Sequence, residues 1–413
     1  MKKILFFTLP LLLFAQPPTL NLIVDHYYSP YMGAEDLLTL SAGVQYAENW
    51  CIQKPNPPRR GWGPSLLRLA ELVAIWEPYN YLTTATQHEI FGHGYRARSF
   101  HKGGVKVKKY KLGVPPPYGS GGGSTHYHIN PRKMTPFQDS AITSAGVEAT
   151  SILAIRLKLQ WLQAGMINAT QTSLYEYSQQ DLTTYILATK DQVPFFGTGE
   201  SGSDVHHYVR ILHESLPHGK LSVKKLKKLA LINYADPFTY YSLYAWWFYL
   251  ISGKQMPVPM INIGSYGYLP GLRIGLAPFG PEYYLENFLV SQQKPIYFYL
   301  RGGEYAGLRS YGLGIEHAYL WNIGGAPWGF RADAWLQPDV PYKANASNNL
   351  ITFDTTHQKH YKSRFGGALS LIGRIKITQD SAIFFQIGGK TNGFLPGETL
   401  TPSLIARVGF SFF

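Results

Sequence analysis

The spacing of apolar residues changes once along the chain, near Gly253. Up to that point apolar positions recur every three or four residues, as on helices that bury one face. Ser65–Trp76 is one such stretch, with Leu66, Leu67, Leu69, Ala70, Leu72 and Val73. Pro78 is expected to break it, and Asn80 to cap a second helix that runs to about Ser99. A strong helix is predicted over Ala141–Leu162, capped by Asp139 or Ser140, with others at about 171–189, 203–215, 222–232 and 237–252. Gly103–Lys133 has no helical period. It holds an exposed strand, Val105–Leu112, whose lysines would guard an edge, and a Pro- and Gly-rich loop long enough for a lid. After Gly253 apolar residues alternate with polar residues or glycine, the period of strands. The strands expected there are Gly271–Ala277, Tyr283–Val290, Pro295–Leu300, Ser310–Trp321, Trp328–Leu336, Gly367–Ile377, Ala382–Gly389 and Leu404–Phe413.

Two textures predict an α+β chain of two domains. Residues 1–15 read as a secretory leader: Lys2 and Lys3, the apolar run Ile4–Phe14, then Ala15. Residues 16–255 form the mainly helical domain, and 256–413 an antiparallel barrel of about eight strands. Tyr, Trp and Phe recur near the strand ends, as an interfacial girdle requires. In the last strand Leu404, Ala406, Val408, Phe410 and Phe412 share one face. It resembles the carboxyl end of bacterial outer-membrane barrels, with the departure that terminal Phe413 falls on the other face. The resemblance implies a barrel in outer-membrane lipid, with the helical domain facing the periplasm. The alternative is a soluble antiparallel sandwich, periplasmic or secreted.

Charge and cysteine content narrow the setting. The net charge of +13 suits an exported protein that meets anionic lipid or polysaccharide. No nucleic-acid module is recognisable, and no nucleic-acid partner is expected. The one cysteine, Cys51, excludes an internal disulfide framework and reads as a buried small side chain.

The candidate chemistry lies in Gln87–His93, Q-H-E-I-F-G-H. Two imidazoles, His88 and His93, suit a Zn²⁺ ion, and Glu89 between them suits a general base. The histidines are five residues apart, about 140° around an ideal helix rather than the roughly 40° of four-residue spacing. Both face one metal only if a π-bulge absorbs the extra residue, which Gly92 eases. Zinc needs a third protein ligand. Glu148 is the leading choice, because a carboxylate among Ala145, Gly146, Val147, Ala149, Ile152 and Leu153 is costly unless paired or metal-bound. Asp204 is the alternative third ligand, or an acid that orients a zinc-binding histidine. His207 and Tyr208 are candidates for polarising a substrate carbonyl, and His126 and His128 for lining the loop near the metal.

H-E-I-F-G-H resembles the H-E-L-L-G-H of the dipeptidyl peptidase III family of zinc peptidases. That resemblance implies His88, His93 and Glu148 as ligands and Glu89 as general base. The family's paired acids before the third ligand are absent, since Gly146 and Val147 stand there, and its two-lobed architecture is not suggested. The run H-E-I-F-G-H-G-Y-R-A-R followed by S-A-G-V-E-A is also similar, with one inserted residue, to patterns of the site-2 proteases. That family is built of membrane helices, and no stretch of this chain reads as one; Phe238–Ile251 comes nearest and is too short.

The expected function is an exported zinc-dependent hydrolase, a metallopeptidase of zincin-like fold acting on a peptide or protein. The alternative is a non-enzymatic outer-membrane barrel, channel or adhesin, with a structural helical domain.

Overall fold

Helices dominate as far as Ser252 and strands after it, as the two periods require. The computed structural model describes residues 18–52, 58, 60–130, 133–191, 203–216, 219–343 and 361–413; the expected leader, 1–15, lies outside them. The chain begins with β1 (Leu20–Asp25) and α1 (Pro30–Ile52). Next come α2 (Trp62–Glu71), α3 (Glu77–Thr86) and α4 (Gly94–Ser99), joined into one helical run by π-helical turns at Leu72–Trp76 and Gln87–His93. β2 (Lys106–Leu112) and β3 (Gly123–His128) make an antiparallel hairpin. There follow α5 (Pro136–Thr143), α6 (Ala145–Ala164), β4 (Met166–Ile167), α7 (Thr172–Ala188), α8 (Asp204–Ser215), α9 (Val223–Ala230) and α10 (Pro237–Ser252). β5 (Met256–Pro257) and β6 (Ile261–Ile263) lead into β7 (Tyr266–Ala277), β8 (Gly280–Ser291), β9 (Lys294–Tyr305), β10 (Leu308–Ile323), β11 (Ala326–Pro338), β12 (Ser363–Lys376), β13 (Ser381–Lys390) and β14 (Ser403–Phe412).

Pro78 does not end its helix. It has no N–H to give the Ala74 carbonyl four residues back. The Tyr118 hydroxyl, from the loop between β2 and β3, donates to that carbonyl instead, at 2.7 Å. Asn80, expected as a cap, is buried inside α3 and donates to the Thr170 carbonyl at 2.7 Å. The helix predicted over 141–162 is two helices. Thr135 caps α5 through a reciprocal pair with Gln138, and the run breaks at Ser144.

The eight predicted strands are β7–β14, in consecutive antiparallel order within a ten-stranded sheet, β1-β14-β13-β12-β11-β10-β9-β8-β7-β6. The expected barrel differs in two respects. β1, from the amino end, pairs with β14, setting Leu20 opposite Phe412 and Asp25 opposite Arg407. Among the described residues the sheet does not close strand to strand, because helices occupy the seam. The Ile23 N–H donates to Asp36 Oδ1 at 2.7 Å, and the Asn21 carbonyl accepts from Thr39 Oγ1 at 2.6 Å, both on α1. At the far side the Ile274 N–H of β7 donates to Asn233 Oδ1 at 2.7 Å. These bonds satisfy edge groups that a further strand would otherwise take.

The two sides of the sheet meet helices that pack on each other. β1 packs on α1, β7 on α6, and α1 on α6, so the sheet wraps around them. The inner face carries charge: Arg273–Glu286 at 2.7 Å, Arg301–Glu282 at 2.9 Å, Arg331–Asp333 at 2.9 Å and Arg407–Glu398 at 2.8 Å. α6 joins it through Lys158, which contacts Asp236 at 2.5 Å and Glu286 at 3.1 Å, and through Arg156, which pairs with Glu35 and Glu316. The outer face is apolar. On β14, Ile405, Arg407 and Ser411 are buried, while Leu404, Val408, Phe410 and Phe412 are exposed. Phe137, Val209 and Leu226 share one buried cluster with Ile274, Phe279 and Phe394. The change of secondary structure near residue 255 is therefore not a break in packing.

Candidate metal centre

The motif segment Gln87–His93 is π-helical, as its spacing predicts. An i→i+5 repeat brings residues five apart onto one side of the helix. His88 Nε2 and His93 Nε2 stand 3.1 Å apart. The widened turn is held from outside. Arg98 Nη2 donates to the Ile90 carbonyl at 2.8 Å, and Thr125 Oγ1 to the Glu89 carbonyl at 2.9 Å. Gln87 ties the turn to its neighbours, donating to the Pro30 and Ala149 carbonyls at 2.9 Å each.

Two glycines let α6 approach closely. A Cβ on Gly92 would stand 2.6 Å from the Ala145 carbonyl oxygen and 2.7 Å from the Gly146 Cα. A Cβ on Gly146 would stand 2.2 Å from His88 Nε2. Gly146 thus faces the histidines, and Glu148, two residues on, points about 200° away around the helix. This corrects the leading third-ligand assignment. Glu148 Oε1 instead accepts from Arg96 Nη2 at 2.5 Å and from the Gly397 N–H at 2.6 Å. The reason for suspecting Glu148, a buried carboxylate that must have a partner, was sound; the partner is a guanidinium.

Asp204, the alternative, completes the group. Its Oδ2 lies 3.2 Å from His93 Nε2, and one ligand atom from each of His88, His93 and Asp204 lies within 4.8 Å of the others. Two zinc ligands at about 2.05 Å and a tetrahedral angle are about 3.3 Å apart. The two spacings, 3.1 and 3.2 Å, lie close to that edge. Asp204 is the first residue of α8, which Ser203 caps, and its own N–H donates to the Tyr185 hydroxyl at 2.9 Å.

Acceptors behind the rings fix the tautomers. His93 Nδ1 donates to the Ile142 carbonyl at 2.7 Å. Ile142 is in the last turn of α5, where carbonyls have no partner within the helix. His88 Nδ1 donates to Asp181 Oδ2 at 2.8 Å, and the same oxygen accepts from Thr150 Oγ1 at 2.8 Å. With both Nδ1 atoms protonated, both Nε2 lone pairs converge beside a carboxylate. That set of acceptors could hold a cation between them. Burial lowers the His93 pKa, but the Asp204 carboxylate more than offsets it, and the pKa stands at about 9. For His88, Asp181 likewise outweighs burial and the pKa is raised. Burial raises the Asp204 pKa and the two histidines lower it further, for a net decrease, although its side chain is 37 % exposed.

No protein-family model, curated protein or solved structure matches the chain at a significant level.

Glu89 is buried beside the histidines, and its charge acts on both. Thr125 Oγ1 donates to Glu89 Oε2 at 2.7 Å, and a Cβ on Gly123 would stand 2.9 Å from Glu89 Oε1. β3 therefore crosses directly over the carboxylate. The other sequence candidates fall elsewhere. His126 and His128 are exposed, on the opposite face of β3 from Thr125 and Tyr127. Tyr208 is a core residue whose hydroxyl donates to the Ala277 carbonyl at 2.7 Å. His207 is engaged at both nitrogens, by Asp139 at 3.0 Å and Arg210 at 2.6 Å. Asp181, Thr125 and Thr150 were missed. Only Asp181 left a trace, as an acid in a helix otherwise free of charge from Gln179 to Ala188.

Proposed function

We propose that this chain is a zinc-dependent hydrolase, a peptidase of zincin-like chemistry seated in a bacterial outer membrane through its ten-stranded sheet. One observation carries the reading: two imidazole Nε2 atoms and the Asp204 carboxylate converge, with hydrogen-bond acceptors behind both rings. His88, His93 and Asp204 would hold the ion. Zinc bound there supplies Lewis acidity and brings the pKa of water to near 7. Asp181 and the Ile142 carbonyl keep each histidine in the ligating tautomer. Glu89, steadied by Thr125, accepts a proton from the attacking water on a carboxylate oxygen and returns it to the leaving nitrogen. The ligand set of the dipeptidyl peptidase III family is not carried over, since Glu148 belongs to Arg96.

The polarity of the sheet supports the membrane setting. β7–β12 run for 12–16 residues, and β13 and β14 for 10 each. A membrane strand needs roughly 9–11 residues. Outward residues such as Leu285, Leu300, Leu313, Leu369 and Ile387 are exposed and apolar, and the inner face holds the ion pairs. Membrane barrels have this inverted pattern. α6, packed on β7 and β9, occupies the interior, which argues against the channel reading.

The test is metal analysis and peptide cleavage with the folded full chain. Glu89→Gln is expected to keep its zinc and lose about 10²–10⁴-fold in cleavage rate. Protein that takes up no zinc, or a variant that cleaves like the parent, overturns the reading.

A further inference from the structure

The outer apolar surface does not stop at the sheet. Three helices lie along the seam between β1 and β7, and each shows exposed apolar residues outward with no exposed charge. On α2 and the π-turn after it, Trp62, Leu66, Leu69 and Val73 form one exposed stripe, with Leu67 and Ile75 beside it. The inward residues include Arg68, whose guanidinium donates to the Leu250 carbonyl at 2.7 and 2.9 Å. On α10 the exposed residues are Tyr240, Leu243, Tyr244, Trp247 and Ile251, and the helix contains no charged residue. On α1 they include Leu40, Val44, Tyr46, Trp50 and Ile52. Its acids face inward, Glu35 to Arg156 and Glu48 to the Trp76 indole. No exposed position of α1, of α2 through Trp76, or of α10 carries a charge.

A water-facing helix shows the reverse pattern. None of these helices is long and apolar enough to cross a membrane alone. They have no need to, because their inner sides rest on protein. α10 has 16 residues, so it is about 24 Å long. The apolar band of an outer-membrane barrel is about 25 Å tall. Continuity closes the argument: α1 side chains cap the edge of β1, α10 packs on β7, and α2 packs on α10.

We infer that α1, α2 and α10 complete the ring that the sheet leaves open and face bilayer hydrocarbon, so the helix carrying the metal-binding motif rises out of the membrane. This rests on the membrane reading of the sheet. Leu82, the last exposed apolar residue of the run, precedes His88 by six residues, about 9 Å of helix. The metal centre then opens close to the bilayer surface.

The experiment uses the full chain folded into vesicles of phosphatidylcholine and phosphatidylglycerol. The native Cys51, expected from the sequence to be buried, is exposed on α1 and takes a spin label directly. In a Cys51→Ser background, Leu67→Cys, Leu243→Cys and Trp247→Cys report on the seam. Leu369→Cys reports on the sheet, and Lys111→Cys on β2 is the aqueous control. The quantity read is the ratio of collisions with oxygen to collisions with a water-soluble nickel chelate. Labels at 51, 67, 243, 247 and 369 are expected to give ratios several-fold above that at 111. A lipid-like ratio at 369 with water-like ratios at 67, 243 and 247 overturns the seam inference and leaves the sheet in the membrane. Water-like ratios at all positions overturn the membrane reading itself. Labels at 67, 243 and 247 that neither reagent reaches would mean a second copy covers the seam, which also overturns the inference.

Discussion

Two groups of buried charge lie on opposite sides of α6, and they differ in donor balance. On the sheet side each cluster joins cations to anions: Lys158 to Asp236 and Glu286, Arg331 to Asp333, Arg407 to Glu398. On the motif side two imidazole nitrogens and a carboxylate meet with no cationic side chain among them. The first kind is complete as it stands. The second, on the proposed reading, is completed by a metal. Glu148 belongs to the first kind, through Arg96, although it lies on the helix that packs against the motif. Carboxylates occur in both kinds, and the partner distinguishes them.

That contrast breaks most sharply at Glu148. Glu148→Ala strands the fully buried Arg96, and losing one partner of such a pair costs about 3–5 kcal/mol. The variant is expected to unfold at correspondingly lower denaturant while still binding zinc with unchanged stoichiometry. A variant that keeps its stability and loses zinc would return Glu148 to the metal.

How far the sequence reached depended on whether a partner was local. The strands β7–β14 were legible because alternation is a property of neighbours in sequence. The π-turn was legible because five-residue spacing leaves no other way to bring His88 and His93 together. β1 was not read as a strand: its partner β14 lies almost the whole chain away. Pro78 failed as a break because a hydroxyl 44 residues further on, in Tyr118, takes the orphaned carbonyl. Glu148 was misassigned for the same reason, since no helical period announces that Arg96 turns inward. Asp204 was open only as an alternative, because an acid in the first turn of a capped helix is usually explained by the helix dipole.

Asp181 tests the motif side more gently. Asp181→Asn keeps the size of the side chain and an oxygen for Thr150, but removes the charge that holds His88 Nδ1–H. Losses of about 10–100-fold in zinc affinity are expected for such a partner. The thermal unfolding temperature of the zinc-free variant should fall below the parent's at acid pH and approach it as His88 loses its proton, because the carboxylate that raises the His88 pKa is gone. Equal zinc affinity in the two proteins would mean that Asp181 does not orient the ligand.

A further effect follows the proton on His93. His93 is raised from 6.5 to about 9 in the folded, metal-free protein. Below the unfolded value the proton is bound in both states, and its contribution to stability is fully present. Between 6.5 and 9 the folded state alone holds it, so that contribution is lost as pH rises through the folded pKa. Zinc must displace the same proton, so its affinity should rise about tenfold per pH unit up to about 9 and then level off for this group. Calorimetric titrations in buffers of different ionisation enthalpy count the protons released. About one or more per zinc is expected at pH 7, since His88 is raised as well, falling towards none above the His93 pKa. The sheet-side clusters bind no zinc and contribute nothing to this count. A zinc affinity that stays flat between pH 6.5 and 9 would place the bound metal away from His93, and would remove the difference between the two kinds of buried charge.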